Sequence, residues 1–86
     1  MEPEHEYYRL DVISVALNNL GIYRSTYAIS RVAKKHGLIA TRSKRHAFIL
    51  QSDLSKLVER LEVDISFVQV ESAVQRAYEN YRLSMP

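Results

Sequence analysis

The chain has 86 residues, 47% of them hydrophobic and 26% charged, which suits one small globular domain and leaves no room for a second. It contains no cysteine, so it has no disulfide framework, and only His5, His36 and His46 remain as possible nitrogen ligands, so we expect no metal cage. The net charge is only +2, yet seven of the 12 Lys and Arg residues lie between Asp11 and Asp53, where no acidic residue occurs. A basic central segment between acidic flanking segments is typical of a protein that presents one face to a polyanion. The alternative is an ordinary solvated surface on which the charges cluster by chance.

Residues 1–6 are acidic and polar, and no apolar stretch follows them. We therefore expect neither a secretory signal nor a membrane anchor, and we expect a cytoplasmic location, nucleoid-associated if the organism is bacterial or archaeal. A first helix is predicted over residues 6–20, with its apolar residues at helical spacing: Leu10, Ile13, Ala16, Leu17 and Leu20. Gly21 stands where such a helix would end in a left-handed residue.

A second helix of about three turns is predicted to begin at Ser25 or Thr26, either of which can cap it through a side-chain oxygen. Its predicted buried stripe comprises Ile29, Val32, Ala33 and His36. Gly37 ends this helix. Residues 38–50 then place β-branched and aromatic residues on both sides of a polar centre, which predicts a short β-hairpin. Because its turn lacks an Asn-Gly or Asp-Gly pair, we expect a hairpin that is either irregular or mobile at its tip.

A third, amphipathic helix is predicted behind the helix starters Ser52 and Asp53, with apolar residues at Leu54, Leu57, Val58 and Leu61. A fourth helix is predicted over residues 66–83, where Ser66 and Gln69 have capping-box spacing. Its apolar stripe is wide for the last element of so small a domain. The residues expected to pair two copies of the chain are Val70, Val74, Ala77, Tyr78 and Tyr81. Packing of this helix on the first helix of the same chain is the alternative.

The second helix carries a ridge opposite its buried stripe. At about 100° per residue, Arg24, Tyr27, Arg31 and Lys34 fall on one side of the helix. Such a ridge fits the major groove of DNA, where arginine can donate two hydrogen bonds to guanine. The candidate residues of this recognition helix are Arg24, Ser25, Thr26, Tyr27, Ser30, Arg31, Lys34 and Lys35. Cations in a last helical turn also stabilise any helix through its dipole, so Lys34 and Lys35 alone would prove little.

The predicted hairpin concentrates positive charge at its tip, where neighbouring cations repel one another unless an anion is present. In a winged domain these side chains contact backbone phosphates or an adjacent minor groove. The candidate residues of this wing are Arg42, Ser43, Lys44, Arg45 and His46.

Residues 25–57 resemble the DNA-binding domain of the MerR family and of the related phage excisionases. The resemblance lies in Gly37-Leu38-Ile39 at the end of a recognition helix, in Arg42 and Arg45 of a basic hairpin, and in Asp53-Leu54-Ser55-Lys56-Leu57 at the start of the next helix. It implies DNA binding as a homodimer, often paired through a terminal helix. The expected fold class is mainly α with a short β-hairpin, namely a winged helix-turn-helix in a single domain over residues 1–86 with an added C-terminal helix.

No nucleophile elbow, phosphate-binding glycine loop or metal-ligand spacing occurs in the sequence, so we expect no enzyme activity, no cofactor and no small-molecule ligand. The expected function is sequence-specific binding of double-stranded DNA, as a transcriptional regulator, an excisionase-like architectural factor or a segregation adaptor. The alternative is a protein-interaction module that docks an acidic partner through the same basic face.

Overall fold

The computed structural model describes the backbone of residues 7–84 and the side chains of residues 7–80. This part of the chain is mainly helical, with four α-helices and one small three-stranded antiparallel sheet. In chain order the elements are β1 (Tyr7–Arg9), α1 (Leu10–Asn19), α2 (Thr26–Lys35), β2 (Ile39–Arg42), β3 (Ala47–Leu50), a 3₁₀ turn (Gln51–Asp53), α3 (Leu54–Leu61) and α4 (Phe67–Ser84). The predicted helices, hairpin and C-terminal helix are therefore confirmed in outline.

The first helix begins later than the sequence predicted. Tyr7–Arg9 forms β1 instead of a first helical turn, and Glu6 lies outside the described residues. Tyr8 is buried and pairs with Ile49 of β3, while Arg9 pairs with Phe48. Aromatic residues favour a pleated, half-buried surface, and here the partner strand supplies it. The helical prediction over these residues was wrong because their conformation depends on a strand about 40 positions away.

The sheet has the order β1-β3-β2, so the predicted hairpin of β2 and β3 forms its centre and one edge. Its pairing shifts between Ile39 and Thr41, where one strand carries an extra residue. Four residues, 43–46, connect the two strands, and the Ser43 amide donates to the His46 carbonyl at 2.9 Å. The irregular hairpin expected from the sequence is confirmed.

Both predicted helix-ending glycines end helices. Gly21 has φ +84° and Gly37 has φ +69°. After α2 the Leu38 amide donates to the Ala33 carbonyl at 2.8 Å and the Gly37 amide to the Lys34 carbonyl, and α1 ends in the same way. This pair of hydrogen bonds satisfies carbonyls that the last turn of a helix would leave free.

Every helix contributes an apolar stripe to one core. Fully buried side chains come from all four helices and from β3, and they include Ile13, Leu17, Ile29, Ile49, Leu54, Leu57, Val70 and Val74. Helix α1 lies against both α4 and α2, so it occupies the middle of the helical layer. Within the predicted stripe of α2 the exception is His36, which is exposed and caps the helix end through its backbone.

The starts of α3 and α4 agree only in part with the capping hydrogen bonds that the sequence predicted. Asp53 precedes α3, but its side chain makes no capping hydrogen bond and instead lies 3.7 Å from the Lys56 ammonium. Before α4 the Ser66 hydroxyl accepts a hydrogen bond from the backbone N–H of Gln69 at 3.3 Å, as predicted. The Gln69 side chain reaches back to that hydroxyl at 3.2 Å rather than to the Ser66 backbone.

Candidate nucleic-acid interface

Helix α2 is fixed at both ends and along one side, which leaves its other side in solvent. The Ser25 hydroxyl accepts from the Ala28 amide at 3.1 Å and so caps the helix, as the sequence predicted. Ile29 and Ala33 are fully buried beneath it. The opposite side exposes the predicted recognition residues Thr26, Tyr27, Arg31, Lys34 and Lys35, with Ser30 half-buried between them.

Arg24 does not belong to the ridge that the sequence predicted. It precedes the Ser25 cap, so it lies in the turn before α2 and the helical spacing does not apply to it. The buried Ser14 hydroxyl of α1 donates to the Arg24 carbonyl at 2.6 Å, which ties this turn to α1. The exposed ridge of α2 therefore comprises Tyr27, Arg31 and Lys34, at positions i, i+4 and i+7.

Two residues of this ridge contact each other. The Arg31 guanidinium carbon lies 5.9 Å from the centroid of the Tyr27 ring, within the range of a cation–π interaction. Residues four apart on a helix face lie side by side, so this contact follows from their spacing.

The hairpin tip holds three exposed cations, Arg42, Lys44 and Arg45, together with exposed Ser43. His46, at the end of the tip, is half-buried, and its Nδ1 lies 3.7 Å from the Asp11 carboxylate in the first turn of α1. The Asp11 carboxylate in turn accepts from the Arg9 guanidinium at 2.9 and 2.8 Å. His46 is therefore the point at which the tip meets the rest of the fold.

The electrostatics of this junction favour an ionised Asp11. Its partial burial raises the pKa, but the hydrogen bonds and charge of Arg9, the proximity of His46 and the Val12 amide outweigh that effect. The pKa of Asp11 is accordingly lower than usual, and the carboxylate stays charged next to the hairpin.

Helix α2 and the hairpin tip form one concave surface, which we call the basic face. A shallow depression of about 280 Å³ lies between Thr26, Tyr27 and Ser30 of α2 and residues 42–47 of the hairpin. A second depression, along α2, adds Arg31, Lys34 and Lys35 and again includes Arg42. The structure thus brings the predicted recognition and wing residues together, except that Arg24 and Ser25 lie outside both depressions.

The cations of the basic face have no ion-pair partner among the described side chains. Among the side chains of residues 7–80, the ion pairs join Arg9 or His46 to Asp11 and Lys56 to Asp53. None involves the exposed cations of α2 and the hairpin tip, namely Arg31, Lys34, Lys35, Arg42, Lys44 and Arg45. Unpaired cations gathered on a concave surface raise the local positive potential and attract anions.

The pairing surface predicted on α4 needs correction. Val70 and Val74 are fully buried and Ala77 nearly so, all within the chain's own core where α4 packs on α1. The Tyr78 hydroxyl accepts from the Arg9 amide at 2.6 Å, and its ring lies 5.9 Å from that of Tyr8. The apolar stripe of α4 therefore packs against α1 and buries that side of α1 within the same chain. The side chain of Tyr81, the fifth residue predicted for this surface, lies outside the described residues.

Sequence reasoning missed the residues that hold the basic face in place. Ser14 fixes the turn before α2, and the Arg9–Asp11 pair meets His46 at the tip. A helix pattern over residues 6–20 gave no sign of either role, because both depend on contacts with distant residues. The adjacent opposite charges at positions 9 and 11 were the one available signal.

Within residues 7–84, no helix is long and apolar enough to cross a membrane, and no cluster of His, Asp or Glu side chains in this part of the chain could hold a metal ion. Comparison of the chain with protein-family models, with curated proteins and with solved structures finds no match.

Proposed function

We propose that this chain is a double-stranded DNA-binding protein with a winged helix-turn-helix architecture. In this proposal α1 and α2 form the helix-turn-helix, α2 is the recognition helix, and the hairpin of β2 and β3 is the wing. The observation that carries the proposal is the basic face, in which six cations from two elements, none of them paired with a carboxylate among the described side chains, line one concave surface.

The dimensions of α2 support a contact with the major groove. Ten residues make a helix of about 15 Å, and the groove of B-DNA, about 12 Å wide, admits one helix. Arg31 and Lys34 project from the middle and end of its exposed side, where they can contact base edges and phosphates. Neither has a competing carboxylate among the described side chains.

The hairpin tip suits the DNA backbone. Lys44 and Arg45 extend past the end of both strands and are exposed, so they can contact phosphates on either side of a groove. Contacts of this kind add affinity for all sequences and fix the orientation of α2. Val70, Val74 and Ala77 belong to the core, so they do not form a surface that could pair two copies of the chain.

The test compares two substitutions on the basic face with one elsewhere. Arg31→Ala should reduce the preference for a selected duplex over a random one by about 5- to 100-fold, because it removes a base contact. Lys44→Ala should weaken both duplexes alike. Arg76→Ala, on the exposed side of α4, is the matched control and should change neither. Fluorescence anisotropy with the intact chain measures all three.

Two results would overturn the proposal. One is the absence of duplex binding by the unsubstituted chain at low salt. The other is equal weakening by Arg76→Ala and Lys44→Ala, which would mean that the overall charge rather than the basic face attracts DNA. Capture of an acidic protein that duplex DNA cannot displace would point to a protein-docking role for this face.

A further inference from the structure

Tyr27 is an exposed aromatic residue that does not belong to the hydrophobic core. Its side chain is 72% exposed, although it lies in the first turn of a helix whose other side is buried. Large aromatic side chains normally bury most of their surface, so their exposure in the middle of a charged surface is informative. Among the described side chains, the Tyr27 ring contacts the Arg31 guanidinium.

Arg31 has few other attractive neighbours. Lys34 follows one turn later on the same ridge, and Arg42 of the hairpin borders the same depression. No carboxylate among the described side chains pairs with Arg31. Repulsion from these cations and attraction to the Tyr27 ring therefore act together to hold the guanidinium over the ring.

A guanidinium held in this way keeps its hydrogen-bonding capacity. Its five N–H donors lie in the plane of the group, so contact of one face with an aromatic ring leaves the edges free to donate. Guanine offers O6 and N7 as a pair of acceptors in the major groove, which an arginine edge matches. A preoriented arginine loses less rotational freedom when it binds than one that moves freely in solvent.

We infer that Tyr27 positions Arg31 for recognition of guanine in the major groove, so that Tyr27 sets base preference without contacting the base itself. This inference rests on the proposed function and adds the base and the mechanism of its recognition. The phenol hydroxyl has no part in it: the aromatic face is the functional group.

The experiment uses the full chain and a duplex with one guanine at the position where Arg31→Ala loses preference. Replacing this guanine by 7-deazaguanine removes the N7 acceptor and nothing else in the groove. The readout is the ratio of the Kd values for the 7-deazaguanine and guanine duplexes. Tyr27→Phe keeps the ring, and Tyr27→Leu removes it. Tyr23→Leu is the matched control, because Tyr23 is 78% exposed in the turn before α2.

In the unsubstituted chain, in Tyr27→Phe and in Tyr23→Leu, the ratio should be the same. In Tyr27→Leu it should fall by about 2- to 5-fold, the range that an exposed cation–π contact supports. Adding Tyr27→Leu to Arg31→Ala should have no further effect on the ratio. In the free protein, the NMR shift that the ring imposes on the Arg31 Nε proton should persist in Tyr27→Phe and disappear in Tyr27→Leu.

An unchanged ratio in Tyr27→Leu, in a chain that still binds duplex DNA, would overturn the inference and leave the proposed function intact. An equal fall in Tyr27→Phe and Tyr27→Leu would also overturn it, since the hydroxyl would then be the contact. Absence of duplex binding by the unsubstituted chain would overturn the function and the inference together.

Discussion

Gly37 shows how one residue can set the end of α2. Its φ of +69° lies in the left-handed region, and a Cβ added there would meet no atom within 4 Å. A substitution at this position therefore adds conformational strain and no clash. Glu62, which ends α3 with φ +54°, already carries the strain that glycine avoids at the two other helix ends.

We expect Gly37→Ala to lower the free energy of unfolding by about 1 kcal/mol, because alanine is disfavoured at positive φ. For a domain of this size that corresponds to a fall in Tm of about 4–8 °C, measurable by circular dichroism. Glu62→Gly should change the free energy of unfolding in the opposite direction and stabilise the fold by about 0.5 kcal/mol, because glycine tolerates positive φ. Equal Tm values for Gly37→Ala and the unsubstituted chain would contradict the strain argument.

At the scale of elements, the hairpin and α1 are joined through Asp11. This carboxylate accepts two hydrogen bonds from Arg9 and lies 3.7 Å from His46 of the hairpin. Its pKa is lower in the folded chain than usual, so folding favours the ionised form. The stability gained is complete above the pKa of the unfolded chain and is lost as the pH falls through the lower pKa of the folded chain.

Asp11→Asn should therefore cost about 1 kcal/mol near neutral pH, a value reduced by the partial exposure of the pair. The difference in unfolding free energy between the two proteins should shrink as the pH falls from about 6 to about 3. Urea denaturation at several pH values measures this difference. A difference that does not change with pH would mean that the Asp11 charge contributes nothing to stability.

Elements with a local signal were predictable, and those fixed by distant partners were not. The apolar spacing of α2 and α3 and the glycines at 21 and 37 gave the helices and their ends correctly. The hairpin followed from its β-branched residues. Strand β1 could not be predicted, since Tyr8 is extended only because Ile49 is beside it. Arg24 precedes both candidate caps, Ser25 and Thr26, so the helical spacing should not have been applied to it.

Across the whole molecule, charge is divided between the basic face and an acidic remainder. All 10 acidic residues and five of the 12 basic ones lie outside the segment between Val12 and Ser52. Of the residues predicted to pair two copies, Val70, Val74 and Ala77 are buried in the core, where α4 packs on α1 as the stated alternative predicted. Sequence alone could not show which apolar stripe would cover α1. The basic residues, by contrast, stay at the surface whatever the packing, so the exposed cations were easier to predict than the helix that covers α1.

Salt dependence follows from this distribution of charge. If the six cations of the basic face each replace one counterion on duplex DNA, a plot of log Kobs against log salt should have a slope of roughly −5. Substituting Arg42, Lys44 and Arg45 together by alanine should reduce its magnitude by about three, whereas Arg76→Ala should leave it unchanged. Titrations between about 50 and 200 mM salt give the slope, and a slope near zero would contradict an electrostatic basic face.

The hairpin tip has one more consequence, for proteolysis. Arg42, Lys44 and Arg45 are exposed within or beside a four-residue connection, which makes this connection a favoured site for trypsin. A cut there separates β2 from β3, yet both fragments remain associated, because β1 pairs with β3 and α1 packs on α4. A bound duplex would cover the same side chains, so the rate of cleavage in this connection should fall as the basic face is occupied.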